Sequence, residues 1–206
     1  MTLATSRNYT QIARQYADDV IAGKIPACKW VKLAAKRQIS DLQKYSGPRS
    51  TYVFDETEAS RVCKFIELLT HTKGELAGTR IKLEPWQVFI LSTAFGWRRR
   101  SDGGRRFRRV YIEVPRGNGK SCLSSGVALY CLVADREPGA EVYSFATTRD
   151  QAKIVFGDAK VMAEHNAPLR SQFGLQVLAN ALYVPTTNST FQAKSAEGST
   201  LDGLNT

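Results

Sequence analysis

The sequence predicts an α/β fold in which a parallel sheet with flanking helices follows an α-helical N-terminal section. Strand-like and helix-like segments alternate after residue 107, and a glycine-rich turn separates one such strand from the helix that follows. Apolar residues at helical spacing dominate the part before. We therefore expect a helical section over residues 1–75 and a sheet-containing domain over residues 76–206.

The helical section contains three predicted helices. Apolar residues recur at helical spacing over residues 8–23 and 27–45. The stretch TYVFD predicts a short strand, and Asp55 is expected to cap a third helix that carries Val62 and Leu69. A fourth helix follows, with Pro85 near its first turn, where proline is tolerated.

The second section alternates strands with helices. Strands are predicted at FRRVYIEV (107–114) and GAEVYSFAT (139–147), each followed by a helix, and ALYVPTTNSTFQAKS (181–195) adds one or two more. Such alternation is typical of parallel strands joined by right-handed helical crossovers.

Charge distinguishes this chain from an average globular protein. Its 29 Lys and Arg residues against 19 Asp and Glu give a formal charge of +10, which favours polyanionic partners. Seven of the arginines lie in WRRRSDGGRRFRRV (97–110). This run either contacts nucleic acid or forms a solvated hairpin around its DGG turn, and the sequence leaves both interpretations open.

Several classes of protein are excluded by the sequence pattern. Charged residues interrupt every apolar stretch well before the roughly 20 residues that a membrane span needs, and the N-terminus has no apolar core of a signal peptide. We therefore expect no membrane partner and a cytoplasmic location. The four cysteines form no CxxC pair and no cluster with the two histidines, which argues against a zinc site or a disulfide framework. Reduced, mostly buried thiols are expected.

The glycine-rich turn VPRGNGKS (114–121) carries the clearest chemical signal. Gly117 and Gly119 permit a turn whose backbone N–H groups point inward at an anion, and the next helix adds the positive end of its dipole. In the pattern G-x-x-x-x-G-K-[ST], Lys120 would reach the β/γ-phosphates and Ser121 would ligate Mg²⁺, although Val114 replaces the first glycine. The sequence predicts binding of ATP and Mg²⁺, with Arg116, Gly117, Asn118, Gly119, Lys120, Ser121 and Cys122 forming the cradle.

Four stretches resemble the large terminase subunit of tailed bacteriophages, in the branch that includes HK97-type phages. They are EPWQ (84–87), RRFRRVYIEVPRGNGKS (105–121), EVYSFATTRDQAKIVF (141–156) and GSTLDGLN (198–205), and the resemblance extends from residue 27 to the end. It implies an ASCE-type P-loop NTPase domain in a motor that pumps double-stranded DNA into a procapsid. It also implies a homo-oligomeric ring, portal protein and small terminase subunit as partners, and the host bacterial cytoplasm as location.

The resemblance assigns roles to individual residues. It makes Gln87 the residue that reads adenine, with Trp86 shaping the base pocket; a plain helix N-terminus with a buried Trp is the alternative. Arg116 would sense the γ-phosphate, and Arg149 would act as a trans-acting arginine finger. Together with Lys120 these two arginines form the predicted catalytic set. Thr148 either links nucleotide to DNA or only caps a helix, and we favour the cap.

One expected element has no counterpart in the sequence. No apolar run ending in Asp-Glu follows Ser121, and the resemblance implies that such a Walker B strand begins just past LDGLN. We therefore expect the front of a terminase ATPase domain without its Walker B strand and nuclease domain, and negligible ATP turnover by the 206-residue chain. A non-catalytic nucleotide- or DNA-binding fragment and a helicase-like P-loop ATPase remain alternatives.

Overall fold

The computed structural model describes residues 7–195. The chain divides into two compact units: unit 1 comprises Met1–Lys64 and Lys82–Glu113, and unit 2 comprises Phe65–Ile81 and Val114–Thr206. The predicted division after residue 75 falls within the first segment of unit 2 and stays a prediction. The stretch GSTLDGLN lies outside the described residues.

Unit 1 is mainly helical. Its elements are α1 (Tyr9–Ile21), α2 (Lys29–Lys44), β1 (Tyr52–Phe54), most of α3 (Glu56–Glu67), α4 (Pro85–Gly96) and β2 (Trp97–Arg99). These bounds confirm the predicted helices and the TYVFD strand. The predicted cap is also confirmed, because Asp55 Oδ1 accepts hydrogen bonds from the backbone N–H groups of Thr57 and Glu58 at 2.9 and 3.0 Å.

The core of unit 1 forms where α1 packs against α2 and α4. α1 buries Tyr9, Ala13, Ala17 and Val20 along one stripe, the arrangement expected of an amphipathic helix. α4 is buried over most of its length, which explains the almost uninterrupted apolar run VFILSTAF. β1 and β2 pair antiparallel, with Phe54 opposite Trp97.

Unit 2 contains the larger sheet. Its elements are α5 (Lys120–Val133), β3 (Glu141–Ala146), α6 (Arg149–Glu164), α7 (Ala167–Phe173), β4 (Gln176–Val177), β5 (Leu182–Val184) and β6 (Ser189–Ser195). The strand order is β3-β6-β5-β4. β3 and β6 are parallel, whereas β5 pairs antiparallel with both β4 and β6.

The sheet is therefore mixed, where the sequence predicted a parallel one. The short turn of residues 185–188 returns the chain directly from β5 to β6, and a connection of that length forces an antiparallel pair. The path from β3 to β6 passes through α6 and is long enough for a parallel pair.

α5 packs closely against its neighbours in unit 2 because small residues occupy its buried side. Ser125, Gly126 and Ala128 are buried. A Cβ atom at Gly126 would lie 3.1 Å from the side chain of Ile66, so glycine permits this approach. Ser125 Oγ donates to the backbone carbonyl of Val155 at 2.8 Å, which ties α5 to α6.

The predicted strand at residues 107–114 was wrong for the described structure. These residues adopt no regular secondary structure, and Val110, Tyr111 and Ile112 are 52%, 87% and 36% exposed. A strand needs a neighbour for its N–H and C=O groups, and no strand within residues 7–195 pairs with this segment. Apolar alternation alone cannot supply that neighbour.

None of the described helices combines the length and apolar content that a membrane crossing requires. All four cysteines are free thiols. Cys63 is buried and Cys122 and Cys131 are half-buried, but Cys28 is exposed just before α2, contrary to the expectation of mostly buried thiols.

Candidate nucleotide-binding site

The glycine loop, residues 114–120, leads directly into α5. Gly117 and Gly119 have φ angles of +83° and +70°, in the left-handed region that favours glycine, and Gly119 is the N-cap of the helix. No atom lies within 4 Å of a Cβ built at Gly117, so space remains around the turn. The first backbone N–H groups of the 14-residue α5 have no partner within the helix. This geometry suits an anion.

The side chain of Lys120 closes the loop on itself. Its Nζ donates to the carbonyl oxygen of Pro115 at 2.8 Å and also to that of Val114. Asn118 Nδ2 donates to the carbonyls of Pro115 and Arg116, both at 3.3 Å. These contacts hold the ammonium group at the loop through neutral carbonyl oxygens, which are weaker partners for a cation than phosphate oxygens.

Two further predicted cradle residues lie at or beside the loop. Arg116 is exposed, and its side chain makes no hydrogen bond or ion pair to another described residue. Ser121 lies in the first turn of α5, and within residues 7–195 its hydroxyl makes no hydrogen bond, so the oxygen remains available. A hydroxyl oxygen beside bound phosphates is a suitable ligand for Mg²⁺.

Behind the start of α5, a buried carboxylate anchors a loop that sequence analysis did not single out. Asp158, on α6, accepts a hydrogen bond from Thr72 Oγ1 at 3.1 Å and forms an ion pair with Lys73 Nζ at 2.8 Å, and its side chain is 8% exposed. The neighbouring His71 Nδ1 lies 3.9 Å from Cys122 Sγ. Eighty-six positions separate Thr72 from Asp158, so no local sequence spacing could have indicated this contact.

The thiol of Cys122 is expected to be unreactive in this environment. Burial raises its pKa to about 11, and the negative charge of Asp158 adds to the effect. Both causes disfavour the thiolate. Cys122 can therefore contribute its backbone N–H to the cradle, while its side chain stays neutral.

This raised pKa predicts slow alkylation of Cys122. Since the thiolate is the reactive form, a pKa of about 11 instead of 9.0 lowers the reactive fraction about 100-fold near pH 8. The rate of iodoacetamide labelling at Cys122, followed by peptide mass spectrometry, should keep rising about tenfold per pH unit until pH approaches 11. Exposed Cys28 in the same samples is the reference. Equal rates for the two thiols near pH 8 would contradict the shift.

The predicted base-reading residues occupy the start of α4 in unit 1. Gln87 completes a capping box with Glu84: its Oε1 accepts from the Glu84 backbone N–H at 2.9 Å. Trp86 is half-buried, and Pro85 is the first residue of the helix. Gln87 Nε2 has no hydrogen-bond partner among the described residues. Its role in reading adenine stays a prediction. The alternative interpretation, a plain helix N-terminus, agrees with the capping box at this position.

The segment after β3 contains Thr148, for which the sequence left two roles open, a link between nucleotide and DNA or a helix cap. Thr148 is the N-cap of α6, and its Oγ1 accepts from the Gln151 backbone N–H at 3.3 Å, so the predicted cap is confirmed. Thr147 Oγ1 donates to the Gln151 side chain at 3.0 Å. Arg149 is the first residue of α6, and its function as an arginine finger stays a prediction.

Comparison with known proteins identifies the family. The family described as terminase large subunit, ATPase domain, matches residues 85–206, which is more than half of the chain. The chain belongs to this terminase family. The resemblance inferred from sequence motifs is thereby confirmed, and the matched segment contains the glycine loop, Trp86, Gln87 and Arg149.

A protein and a solved structure, both from bacteriophage HK97, are similar to this terminase chain. It is 29% identical over 150 residues to the terminase large subunit of Enterobacteria phage HK97, covering 72% of this chain and 29% of that protein. The crystal structure of the HK97 bacteriophage large terminase matches with a TM-score of 0.58 and 28% identity, covering 71% of this chain and 29% of that one. The chain thus spans less than a third of the length of these relatives.

Proposed function

We propose that this terminase chain is the ATPase portion of a viral DNA-packaging motor, which couples ATP hydrolysis to translocation of double-stranded DNA into a procapsid. The observation that carries the proposal is the glycine loop at the N-terminus of α5, with Lys120 poised at its carbonyls. It lies inside the segment that matches the terminase ATPase family. Portal protein, small terminase subunit and further copies of the chain in a ring are the proposed partners, in the cytoplasm of a host bacterium.

In this proposal the glycine loop binds the phosphates of ATP. The backbone N–H groups around Gly117 and Gly119 would point at phosphate oxygens, and Lys120 would exchange its two carbonyl partners for the β/γ-phosphates. Asn118 would keep the turn in shape through its bonds to the carbonyls of Pro115 and Arg116. The donors present fit a nucleotide with Mg²⁺, for which Ser121 would provide one oxygen ligand; the ion would neutralise phosphate charge.

Two arginines complete the proposed catalytic set. Arg116 directly precedes Gly117 and is exposed, so its guanidinium can reach a terminal phosphate, which its planar donors would bind through two hydrogen bonds. Arg149 would act on the nucleotide of a neighbouring copy in a ring. Gln87 would donate its Nε2 proton to adenine while its oxygen remains in the capping box.

Isothermal titration calorimetry with Mg·ATP and Mg·GTP tests this function on the 206-residue chain. We expect binding of both nucleotides with a preference for ATP, and loss of that preference in Gln87→Glu. The glutamate can still accept the capping hydrogen bond from Glu84 but has no amide donor for the base. Helix α4 should therefore stay intact while the discrimination between bases disappears.

Two outcomes of this titration would contradict the proposal. A wild-type chain that binds neither nucleotide would remove the phosphate site, and a Gln87→Glu variant with unchanged preference would remove the base-reading role. Steady-state phosphate release, measured in parallel, is expected to be negligible for this chain alone. Nucleotide binding combined with DNA-stimulated turnover in the absence of procapsids would instead favour the helicase-like alternative.

A further inference from the structure

The outward side of α2 is positively charged along its whole length. At about 100° per residue, nine of its residues fall within an arc of about 160°, and all nine are exposed. Five of the nine are cationic, and we call them the α2 basic face: Lys29, Lys32, Lys36, Arg37 and Lys44. The other four are Trp30, Leu33, Ser40 and Gln43, none of which carries a negative charge.

No acidic side chain neutralises this face within the described part of the chain. The one acid of α2, Asp41, is buried just outside the arc of this face and forms an ion pair with Arg106 at 2.9 Å. The cations of the α2 basic face contact aromatic rings or solvent: Lys29 lies 5.6 Å from the ring centre of Trp30, and Arg37 lies 4.7 Å from that of Phe107. Their charge is therefore available to a partner.

Arginines of the run at 97–110 are paired with acidic residues, unlike the cations of the α2 basic face. In the sequence this run was the more prominent basic feature. Arg98 bonds to Glu58 at 3.1 Å, Arg99 forms a two-pronged contact with Asp102, and Arg106 pairs with Asp41. Each of these three arginines is paired with a carboxylate of unit 1, the Arg99–Asp102 pair at the surface. The hairpin interpretation of this run is supported by the bridge between Arg98 and Arg105.

Two other arginines of the run directly follow residues that contact α2. Arg106 and Phe107 both contact α2, through Asp41 and Arg37 respectively. The next two residues, Arg108 and Arg109, are exposed and have no acidic partner among residues 7–195. They directly follow the two residues that contact α2 and add two positive charges to this segment.

We propose that the α2 basic face is a docking surface for the phosphate backbone of duplex DNA. Its cations span residues 29 to 44, or about 22 Å at 1.5 Å per residue, and duplex DNA presents one negative charge per about 1.7 Å of axis. A row of cations with no acidic residue between them fits such a repeating anion. The inference rests on the proposed function in taking DNA as the polyanion.

A membrane surface is a poorer fit to the same helix. An interfacial helix must insert a continuous apolar face, but the inward side of α2 is already packed inside unit 1, where Ala35 is buried with Gln38 and Asp41. Only Trp30 and Leu33 are apolar on the outward side. Trp30 is 73% exposed and lies at one end of the basic face, where it can report on a bound partner.

The test compares two doubly substituted 206-residue chains with equal net charge. Lys32→Gln/Lys36→Gln removes two central cations, whereas Lys64→Gln/Lys82→Gln removes two exposed lysines of unit 1 outside α2. Fluorescence anisotropy with labelled duplex DNA at several salt concentrations should show a salt slope smaller by about 2 for the first variant, with about 10- to 100-fold weaker binding at low salt. The second variant should keep the wild-type slope.

A second measurement localises the contact. Duplex DNA should protect Trp30 from acrylamide quenching, read as the difference between wild type and Trp30→Phe, and the protection should be lost in Lys32→Gln/Lys36→Gln. Equal slopes for the two double variants, no DNA binding by wild type, or binding to phosphatidylserine vesicles in preference to DNA would each overturn the inference. Calorimetry with Mg·ATP on the same proteins separates these failures from failure of the proposed nucleotide site, which both double variants should retain.

Discussion

Replacing Trp97 with alanine is expected to lower the free energy of unfolding by about 3–5 kcal/mol. Trp97 is 1% exposed, and its ring packs against Phe54 and Tyr45 with centroid distances of 5.3 and 5.8 Å. Its Nε1 donates to Gln38 Oε1 at 2.8 Å in a buried contact. The substitution removes a large apolar volume and leaves the Gln38 oxygen without its donor, so two penalties add.

The effect should be large because Trp97 is part of a closed cluster. Arg106 lies 5.2 Å from its ring, 4.6 Å from that of Tyr52 and 5.0 Å from that of Tyr45, while its guanidinium pairs with Asp41. An arginine surrounded by rings is a partly buried charge that depends on those rings and on its carboxylate partner. Removing one ring admits water to the ion pair.

Urea unfolding followed by far-UV circular dichroism measures this loss. Trp30→Ala is the control, because the same chemical change at a side chain that is 73% exposed should alter stability by less than about 0.5 kcal/mol. Trp97→Phe keeps most of the packing but not the hydrogen bond to Gln38. Its loss of unfolding free energy should therefore lie between those of the two alanine variants, at about 1–3 kcal/mol. Equal unfolding midpoints for Trp97→Ala and Trp30→Ala would show that the cluster does not stabilise the fold.

Local sequence patterns were enough to predict the features whose causes are local. The helices of unit 1 follow from apolar spacing, the cap at Asp55 from a short polar side chain before a helix, and the turn at Gly117 and Gly119 from the residues that tolerate positive φ. The short helix α7 was missed, although its signal was present: Asn166 caps it, and Pro168 lies in its first turn.

Features that depend on distant partners could not be predicted in this way. The charges of the arginine run looked free in the sequence, but Arg98 pairs with Glu58, 40 positions earlier, and Arg106 with Asp41. The segment 107–114 has the alternation of a strand, yet no strand of the described residues lies beside it. Asp158 and His71 flank the start of α5 only because the chain returns there. Each of these features depends on which distant residues meet in the fold, and residue type alone does not predict that.

Removing the ammonium group of the glycine loop is expected to weaken Mg·ATP binding by about 10- to 150-fold. A charge-assisted hydrogen bond contributes about 1.5–3 kcal/mol, which corresponds to that range in affinity. Lys120→Ala deletes the cation that the structure holds at the carbonyls of Val114 and Pro115. That cation bonds to neutral carbonyl oxygens at the protein surface, so its loss should change folding stability little.

Weaker binding without a loss of folding stability distinguishes a residue that binds nucleotide from one that only stabilises the fold. Calorimetry should show the affinity loss in Lys120→Ala, while its thermal midpoint without nucleotide remains close to that of wild type. Lys160→Ala removes the same charge from the C-terminal half of α6, where within residues 7–195 Nζ bonds only to the carbonyl of Ala179 at 3.3 Å, and should leave the affinity unchanged. Lys120→Arg should not restore full affinity, since a planar guanidinium cannot place a compact charge at the same point. Equal affinity of Lys120→Ala and wild type would remove the phosphate-binding role of the loop, because the remaining backbone N–H groups carry no net charge with which to compensate.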